Sequence, residues 1–330
     1  MKKILIIGGT SFIGRHLLNY LLEQEEYEIS LFNRGVTNPE LFPELNRIKG
    51  DRNVLTEISQ IFAEKWDCIV DLSCYYPQSL AWILNGVNKQ VNYIFISTCS
   101  VYDNEQYSGM YRDETAPRLS CTTAEGLDQS PATYGRRKAA CERLLENSGV
   151  RYTIFRPALV FGSYDPTDRF YYWLHQVKTK KLIGIPENGK RKFSLTYVGD
   201  LLSAMVAAIH MKPNNQVYNC ISYKGMSIQQ IVDEAILAME RQVETLNFSK
   251  GFLVKHQIAP WVDIPVWLNT DDYSYSNEKI CNDLDFTPTK FKESIQKTIT
   301  YYQEISFPTP ITGMNEEKQQ ALLEAKRAED

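Results

Sequence analysis

The chain has 330 residues, with 36 lysines and arginines against 40 aspartates and glutamates, so its formal net charge is -4. This acidic balance provides no overall positive field for holding nucleic acid. Hydrophobic residues make up 43% of the chain and charged residues 23%, which excludes a disordered protein. A length of 330 residues is enough for a large α/β core with a smaller lobe.

The cysteines, the histidines and the N-terminal residues exclude further classes of protein. The seven cysteines are scattered singly without a Cys-x-x-Cys pair, which indicates reduced thiols rather than a disulfide framework or a zinc site. The four histidines lie far apart in the sequence, so no metal site is expected. The apolar run Ile4 to Ile7 is too short for a signal sequence or a membrane span. We therefore expect a cytoplasmic protein without a membrane partner.

The first half of the chain alternates short apolar runs with amphipathic stretches, which predicts βαβ units around a parallel sheet. Ile13, Leu17 and Leu21 recur every four residues, so a helix is expected directly after the first strand. The sequence thus favours an α/β fold with a Rossmann-type doubly wound parallel sheet and a smaller C-terminal α/β substrate lobe. The predicted strands are Ile4 to Ile7, Tyr27 to Phe32, Cys68 to Leu72, Tyr93 to Ser97 and Tyr152 to Arg156.

The composition changes after Pro157, where a segment rich in Gly, Pro, Asp and Ser predicts a loop leaving the sheet. Two later segments, Ser194 to Leu201 and Gln216 to Ser222, resemble returns to the first domain. We therefore expect a dinucleotide-binding domain over residues 1–168, with residues 193–224 returning to it. Residues 169–192 and 225–330 are expected to form the substrate-binding lobe, and the last fifteen residues a solvated helix or a frayed end.

A glycine-rich turn joins the first predicted strand to the first predicted helix. Such a turn directs several backbone N–H groups and the positive end of the helix dipole at one point, where a pyrophosphate satisfies both. The first glycine permits the sharp turn and the last permits close packing of helix on strand, although a serine stands at the usual middle glycine. The candidate phosphate-binding residues are Gly8, Thr10, Ser11, Phe12, Ile13 and Gly14.

The end of the second strand bears on the choice between the two nicotinamide cofactors. An acidic residue there accepts from the ribose 2′-hydroxyl, whereas a basic residue neutralises a 2′-phosphate. The sequence has Asn33 and Arg34 and no carboxylate, which favours NADP(H) over NAD(H), unless Arg34 only stacks on the adenine or faces solvent. Asp51 and Arg52 follow a short apolar segment and are candidates for flanking the adenine.

Tyr134 and Lys138 are four residues apart and would share one face of a helix. A free tyrosine has a pKa near 10, so it is a poor base at neutral pH, but a nearby ammonium favours the phenolate. Tyr134 could then accept a proton from a substrate alcohol, or return it to a carbonyl. Upstream, Ser97 to Tyr102 predicts a strand that ends in a hydroxyl-rich turn, where a hydroxyl can polarise a substrate oxygen.

These segments occur in the order and at the spacings of one enzyme family. The chain resembles the extended short-chain dehydrogenases/reductases, the NAD-dependent epimerase/dehydratase group, and the likeness covers nearly its whole length. The segments that carry it are Gly8 to Gly14, Ser97 to Tyr102, Tyr134 to Lys138, Arg156-Pro157, Thr196 to Asp200 and Ser276 to Lys279.

The resemblance implies a role for each matching residue. Counted back from Val101-Tyr102, the family's catalytic hydroxyl falls on Thr98. Tyr134 would be the acid/base, and Lys138 would bind the nicotinamide ribose. The segment after Arg156 looks like the loop that passes the nicotinamide and contributes mostly through its backbone. The cofactor candidates further along the chain are Ser73, Pro157 and Leu159.

The residues after Thr98 narrow the reaction. Family dehydratases carry an Asp-Glu pair there and the related decarboxylases a Glu at the second position, whereas this chain has Cys99 and Ser100. Neither can do carboxylate chemistry, so dehydration and decarboxylation are disfavoured. Epimerisation and carbonyl reduction need only Thr98, Tyr134 and Lys138, and both stay open.

The sequence gives less specific information about the substrate and the partners than about the reaction. Arg169 and Arg191 would suit an anionic group such as a nucleotide diphosphate, and a homodimer is possible. The glycine turn and Asn33-Arg34-Gly35 also resemble a chloroplast RNA-binding branch of the superfamily, which would use the fold without its redox chemistry. The acidic pI, near 5.7, and the short basic runs stand against RNA binding. RNA binding is thus the alternative hypothesis.

Overall fold

The computed structural model describes residues 1–106, 110–268 and 273–329. These residues form two compact units. The first unit comprises Met1–Ala158, Val198–Ile221 and Tyr275–Thr287, and the second comprises the described residues of Leu159–Tyr197, Ser222–Ser274 and Pro288–Asp330. No helix in the described ranges is both long enough and apolar enough to cross a bilayer.

Strands and helices alternate along much of the chain. The strands are β1 (Lys2–Ile7), β2 (Tyr27–Asn33), β3 (Asn46–Lys49), β4 (Cys68–Asp71), β5 (Asn92–Ile96), β6 (Arg151–Pro157), β7 (Leu159–Phe161), β8 (Leu182–Pro186), β9 (Phe193–Tyr197), β10 (Gln216–Cys220), β11 (Tyr223–Met226) and β12 (Glu244–Phe248). The α-helices are α1 (Phe12–Leu22), α2 (Leu55–Ile58), α3 (Pro77–Gly86), α4 (Thr123–Leu127), α5 (Tyr134–Glu146), α6 (Tyr171–Thr179), α7 (Val198–His210), α8 (Ile228–Ala238), α9 (Lys250–Lys255), α10 (Glu278–Leu284), α11 (Phe291–Glu304) and α12 (Glu316–Glu329).

The first unit is built on a seven-stranded sheet, counted over the described residues, in the order β10-β6-β5-β4-β1-β2-β3. Each neighbouring pair in it is parallel. Strands β4 and β5 are buried along their whole length, as expected for a parallel sheet covered on both faces. The strand order reverses between β1 and β4, and α/β folds bind ligands beyond the carboxyl ends of the strands at such a point. The predicted Rossmann-type fold is therefore confirmed.

The second unit has its own core and two small sheets, in the orders β11-β9-β7 and β12-β8. Its core is rich in aromatic side chains. The rings of Phe161 and Phe170 stack with centroids 4.0 Å apart, and those of Tyr171 and Tyr302 with centroids 3.5 Å apart. Helices α6, α8 and α11 contribute further apolar residues to this core.

The bounds of the compact units differ from those drawn from the sequence. Residues 193–197, expected with the first domain, form β9, which pairs with β7 and β11 in the second unit. Conversely, α10 belongs to the first unit. Packing between segments that are far apart in the chain decides both memberships, and local periodicity carries no information about it. The assignment of one domain to the dinucleotide and the other to the substrate stays a prediction.

Candidate active site

The glycine turn after β1 has the backbone geometry that glycine permits. Gly8 and Gly9 have φ values of +104° and +100°, a region that other residues rarely adopt. A Cβ on Gly14 would lie 2.5 Å from the Cα of Gly9, so only glycine lets the start of α1 pack this closely on the turn. The last glycine of the motif therefore permits close packing of helix on turn, as its position predicts.

The start of α1 has the features of an anion site. Ser11 is the N-cap residue, with extended backbone, yet within the described chain its side chain makes no capping hydrogen bond. The first N–H groups of a helix have no partner inside it, so those of the Phe12-Ile13-Gly14 turn suit a pyrophosphate. The Thr10 hydroxyl donates to the carbonyl oxygen of Thr37 over 2.7 Å.

The rim of this turn is formed by the end of β2. The Asn33 side-chain amide donates to the Gly8 carbonyl oxygen over 3.0 Å, and its own oxygen accepts from the Gly35 N–H over 3.0 Å. Asn33 thus fixes the turn through its side chain. Arg34 is 64% exposed, and its guanidinium lies 4.0 Å from the Asp51 carboxylate, so it remains accessible to a ligand.

Arg52 lies under the site in a buried ion pair. Its guanidinium donates two hydrogen bonds to the Asp71 carboxylate at the end of β4, over 2.5 and 3.0 Å, and the Tyr93 hydroxyl donates to the same carboxylate over 2.7 Å. Burial by itself would raise the pKa of Asp71, but Arg52 and the Tyr93 hydrogen bond lower it below its ordinary value. Ser73, two residues further on, would be 3.4 Å from a Cβ placed on Gly8. Arg52 and Ser73 are therefore close to the predicted cofactor site.

Lys138 connects the ends of two central strands. Its ammonium donates to the carbonyl oxygens of Cys74, after β4, and Ile96, at the end of β5, over 3.0 and 2.7 Å. The side chain is 3% exposed, and its ammonium lies 4.1 Å from the centre of the Phe95 ring. A buried lysine held by two carbonyl oxygens has a fixed position, at the sheet edge where this fold class binds ligands.

Tyr134 and Thr98 are brought near each other by a close contact that the sequence analysis missed. Tyr134 is the first residue of α5, and a Cβ on the next residue, Gly135, would lie 2.1 Å from the carbonyl oxygen of Ser100. Thr98 begins the turn to which Ser100 belongs, and its hydroxyl accepts from the Ser100 N–H over 3.2 Å. The glycine directly after the tyrosine was the available sequence signal.

A buried polar network also supports α5. Arg156 on β6 donates to both oxygens of Glu142 on α5, over 2.9 and 2.6 Å, and to the Tyr102 hydroxyl over 2.8 Å. Arg118 donates to Glu142 as well, over 2.9 Å. The network joins α5, β6 and the segment after Thr98, and nothing in the spacing of these residues predicted it.

The remaining predicted residues lie at the end of β6 or in the second unit. Pro157 ends β6, and Leu159 begins β7. In the second unit, the Arg169 guanidinium stacks 5.0 Å from the Trp261 ring. Arg191 donates to both oxygens of Glu187, over 3.0 and 3.1 Å, and lines a small pocket of the same unit that includes Trp267.

The described site has the parts of a dinucleotide-dependent oxidoreductase or isomerase on a Rossmann fold. A family model described as the NAD dependent epimerase/dehydratase family matches residues 4–220. The chain therefore belongs to the NAD-dependent epimerase/dehydratase family, whose members are enzymes of the extended short-chain dehydrogenase type.

Two similar proteins carry names that describe different activities, stem-loop binding and sugar dehydration. The chloroplast stem-loop binding protein of 41 kDa b of Arabidopsis thaliana is 26% identical over 235 residues, which are 66% of this chain and 58% of that protein. This chain therefore covers less than two thirds of that relative's length. Human dTDP-D-glucose 4,6-dehydratase is 23% identical over 330 residues, which are 92% of this chain and 90% of that protein.

Solved structures establish the fold over almost the whole length. UDP-glucuronic acid 4-epimerase from Bacillus cereus, in complex with NAD, superposes with a TM-score of 0.68 at 18% identity, covering 93% of this chain and 100% of that one. RMD from Pseudomonas aeruginosa, complexed with NADPH, superposes with a TM-score of 0.69 at 14% identity, covering 92% and 100%. Structures of this fold therefore bind either nicotinamide cofactor.

Proposed function

We propose that the chain binds a nicotinamide dinucleotide and catalyses hydride transfer at a secondary alcohol or ketone of a sugar-like substrate. The observation that carries this proposal is the position of Lys138. Its ammonium bonds the carbonyl oxygens of Cys74 and Ile96 at neighbouring strand ends, where such folds bind ligands. An ammonium has three donors, so these two bonds leave one for a ribose hydroxyl.

Three side chains have separate roles in this reaction. Thr98 holds and polarises the substrate oxygen, and Tyr134 takes its proton during oxidation or returns one during reduction. Lys138 orients the ribose and places a positive charge one helical turn from Tyr134, which favours the phenolate. When bound, the dinucleotide supplies or accepts the hydride. Gly135 supports the arrangement because it lets α5 approach the turn that contains Thr98.

Epimerisation and carbonyl reduction are the two reactions within this proposal. The Cys99 thiol is buried and donates to the Arg156 carbonyl oxygen over 3.3 Å, and the Ser100 hydroxyl lies 3.2 Å from the Thr98 hydroxyl. Neither side chain offers the carboxylate that dehydration requires. The likeness to a dehydratase therefore does not extend to the residues that would remove water.

NADP(H) is the cofactor we favour. No carboxylate stands at the end of β2, and the exposed Arg34 can turn its guanidinium toward a 2′-phosphate. For the substrate we propose a nucleotide-linked sugar, whose anionic group would be neutralised by Arg169 and Arg191 of the second unit. The cytoplasmic location and a homodimer remain part of the same proposal.

A titration with NADPH and NADH, followed through nicotinamide fluorescence, tests cofactor binding. The purified protein is first analysed for cofactor carried through purification. Tightly retained NAD(H) supports an epimerase and contradicts the preference for NADP(H). Selective, exchangeable binding of NADPH supports a reductase. Binding of neither cofactor contradicts the proposed function.

A pair of tyrosine variants tests the chemical step. Tyr134→Phe is expected to lower kcat about 100-fold or more, because the proton donor and acceptor is lost while the ring stays. Tyr75→Phe is the matched control, since its ring lies 6.2 Å from that of Tyr134 but is assigned no proton transfer. Turnover by Tyr134→Phe within a few-fold of the wild type would contradict the assigned role.

RNA binding is a second candidate function, favoured by the likeness to the chloroplast stem-loop binding protein. Its basic residues would be Lys178, Lys180 and Lys181, although Lys180 already pairs with Glu316 over 2.5 Å. A stem-loop RNA titrated at low and moderate salt tests it, because phosphate contacts weaken steeply with salt. Affinity that is unchanged in a triple alanine variant of these lysines would contradict this site.

A further inference from the structure

Two buried cysteines lie side by side behind Lys138. The sulfur atoms of Cys74 and Cys141 are 3.7 Å apart, and the two residues are 1% and 0% exposed. Both are free thiols. A disulfide needs about 2.05 Å between its sulfur atoms, so the two sulfur atoms would have to approach by about 1.7 Å to be joined.

The pair is connected to Lys138 from both sides. Tyr134, Lys138 and Cys141 occupy positions i, i+4 and i+7 of α5, which share one helix face. On the opposite side, the backbone carbonyl of Cys74 is one of the two oxygens that hold the Lys138 ammonium. A change at either sulfur therefore acts on a residue directly bonded to Lys138 or one turn away from it.

The surroundings shift the pKa values of the two thiols in opposite directions, which makes one the nucleophile and the other its partner. Burial raises the pKa of Cys74, but the hydrogen bond with Cys141 and the positive charges of Arg52 and Lys138 outweigh it and lower the pKa. The same hydrogen bond, together with burial, raises the pKa of Cys141. The thiolate is the reactive form, so Cys74 would react first.

We propose that Cys74 and Cys141 are a redox modification site, at which a peroxide forms an intramolecular disulfide that weakens dinucleotide binding. The Cys74 sulfur attacks one peroxide oxygen, the O–O bond breaks, and a sulfenic acid and one water form. The Cys141 sulfur then attacks the Cys74 sulfur and releases the second water. The two thiols lose two electrons and two protons, and hydrogen peroxide is reduced to two waters.

The effect on binding rests on the proposed function, through Lys138. Joining the sulfur atoms draws the middle of α5 toward the segment after β4. This displaces the Cys74 carbonyl relative to the ammonium it holds, and with it the donor intended for the ribose. We expect the Kd for NADPH to rise about tenfold, and dithiothreitol to restore it.

Peptide mapping tests the disulfide without relying on activity. The full-length protein is treated with hydrogen peroxide, alkylated under denaturing conditions, digested and analysed by mass spectrometry. The expected product links the Cys74 and Cys141 peptides, while Cys121→Ser, a control at a partly exposed cysteine, gives the same link. In Cys141→Ala, a dimedone probe should label Cys74. Alkylation of both thiols after other cysteines have been oxidised would overturn the proposal.

Binding is then compared in reduced, oxidised and re-reduced protein. A reversible rise in Kd that the Cys74→Ala/Cys141→Ala double variant lacks supports the proposal. A mapped disulfide with unchanged Kd overturns the effect on binding. If the reduced wild-type protein binds neither dinucleotide, the proposed function fails, whereas the mapping still decides whether the pair is a modification site.

Discussion

Asp51 and Arg52 are neighbours in the sequence, but the ion pairs that they form have opposite environments. Asp51 and Arg34 form a loose pair at the rim of the glycine turn, with side chains 32% and 64% exposed and 4.0 Å between the charged atoms. Arg52 and Asp71 form a close pair beneath it, 9% and 0% exposed, with 2.5 Å between the charged atoms. Two consecutive residues, Asp51 and Arg52, therefore belong to a solvated pair and to a buried pair.

The difference indicates what each pair can do. An exposed pair contributes about 0–1 kcal/mol and is screened by salt, so a ligand phosphate can replace the carboxylate at little cost. A buried pair has lost its water, and removal of one partner leaves an uncompensated charge. The Arg52–Asp71 pair therefore fixes the end of β4, whereas Arg34 is free to serve a ligand.

The largest expected effect comes from breaking the buried pair. Arg52→Ala should lower the free energy of unfolding by about 3–5 kcal/mol, because Asp71 is left buried with the Tyr93 hydroxyl and the Ser73 N–H but without a cation. Urea denaturation at neutral pH measures it. The double variant Arg52→Met/Asp71→Leu should regain much of the loss, since it leaves no buried charge. A cost below about 1 kcal/mol for Arg52→Ala would remove the contrast with the rim pair.

Asp165 in the second unit offers a third case, a buried carboxylate without a cation bonded to it. Its Oδ1 accepts from the N–H and hydroxyl of Thr167, whereas its buried Oδ2 has no hydrogen-bond partner among the described residues. Burial raises the pKa of Asp165 to about 6. The folded state therefore binds the proton more tightly than the unfolded state, and stability contributed at low pH is lost as the pH rises through about 6.

The corresponding variant is Asp165→Asn, which does not titrate. Between about pH 3 and pH 7 the wild type should lose roughly 3 kcal/mol relative to the variant, at 1.36 kcal/mol for each unit of pKa. Denaturant unfolding of both proteins at several pH values gives this difference, and other titrating groups cancel in it. A difference that does not change with pH would contradict the raised pKa.

A third test compares two helical glycines at the second position of their helices. Gly135→Ala should cost about 1–3 kcal/mol of stability and also lower activity, because its Cβ would lie 2.1 Å from the Ser100 carbonyl oxygen. Gly251→Ala is the control, since nothing lies within 4 Å of its Cβ and alanine favours the helix by about 0.5–1 kcal/mol. Thermal unfolding and turnover measure both. Equal effects would show that close packing at Gly135 has no special role.

The sheet and the glycine turn could be predicted because both depend on local patterns. Buried strands such as β1 and β4 are continuous apolar runs, and Gly14 is required by a contact only five residues away in sequence. The spacing of Tyr134 and Lys138 is likewise local, because one turn of helix fixes it, whereas their roles stay predictions.

The hydrogen bonds of Arg52 and the packing at Gly135 depend on contacts with residues that are far away in the sequence. Arg52 is predicted to flank the adenine, whereas its bond to Asp71, nineteen residues away, has no signal in the sequence. The Cys74 and Cys141 sulfur atoms are brought together across 67 residues. Patterns in a single sequence do not encode contacts between distant residues, so these features become visible only in the folded structure.

The smallest effect on stability should come from the rim pair, where the effect on cofactor choice should be clear. Arg34→Ala should change the free energy of unfolding by less than about 1 kcal/mol but weaken NADPH binding about tenfold, with little change for NADH. Asp51→Asn should act in the opposite direction. It removes the competing charge yet keeps the Oδ1 that accepts from the Asn53 N–H over 2.8 Å. Fluorescence titrations of the two variants at low salt measure both effects. Parallel changes for NADPH and NADH would mean that Arg34 contacts a part that the two cofactors share, and the preference for NADP(H) would lose its structural basis.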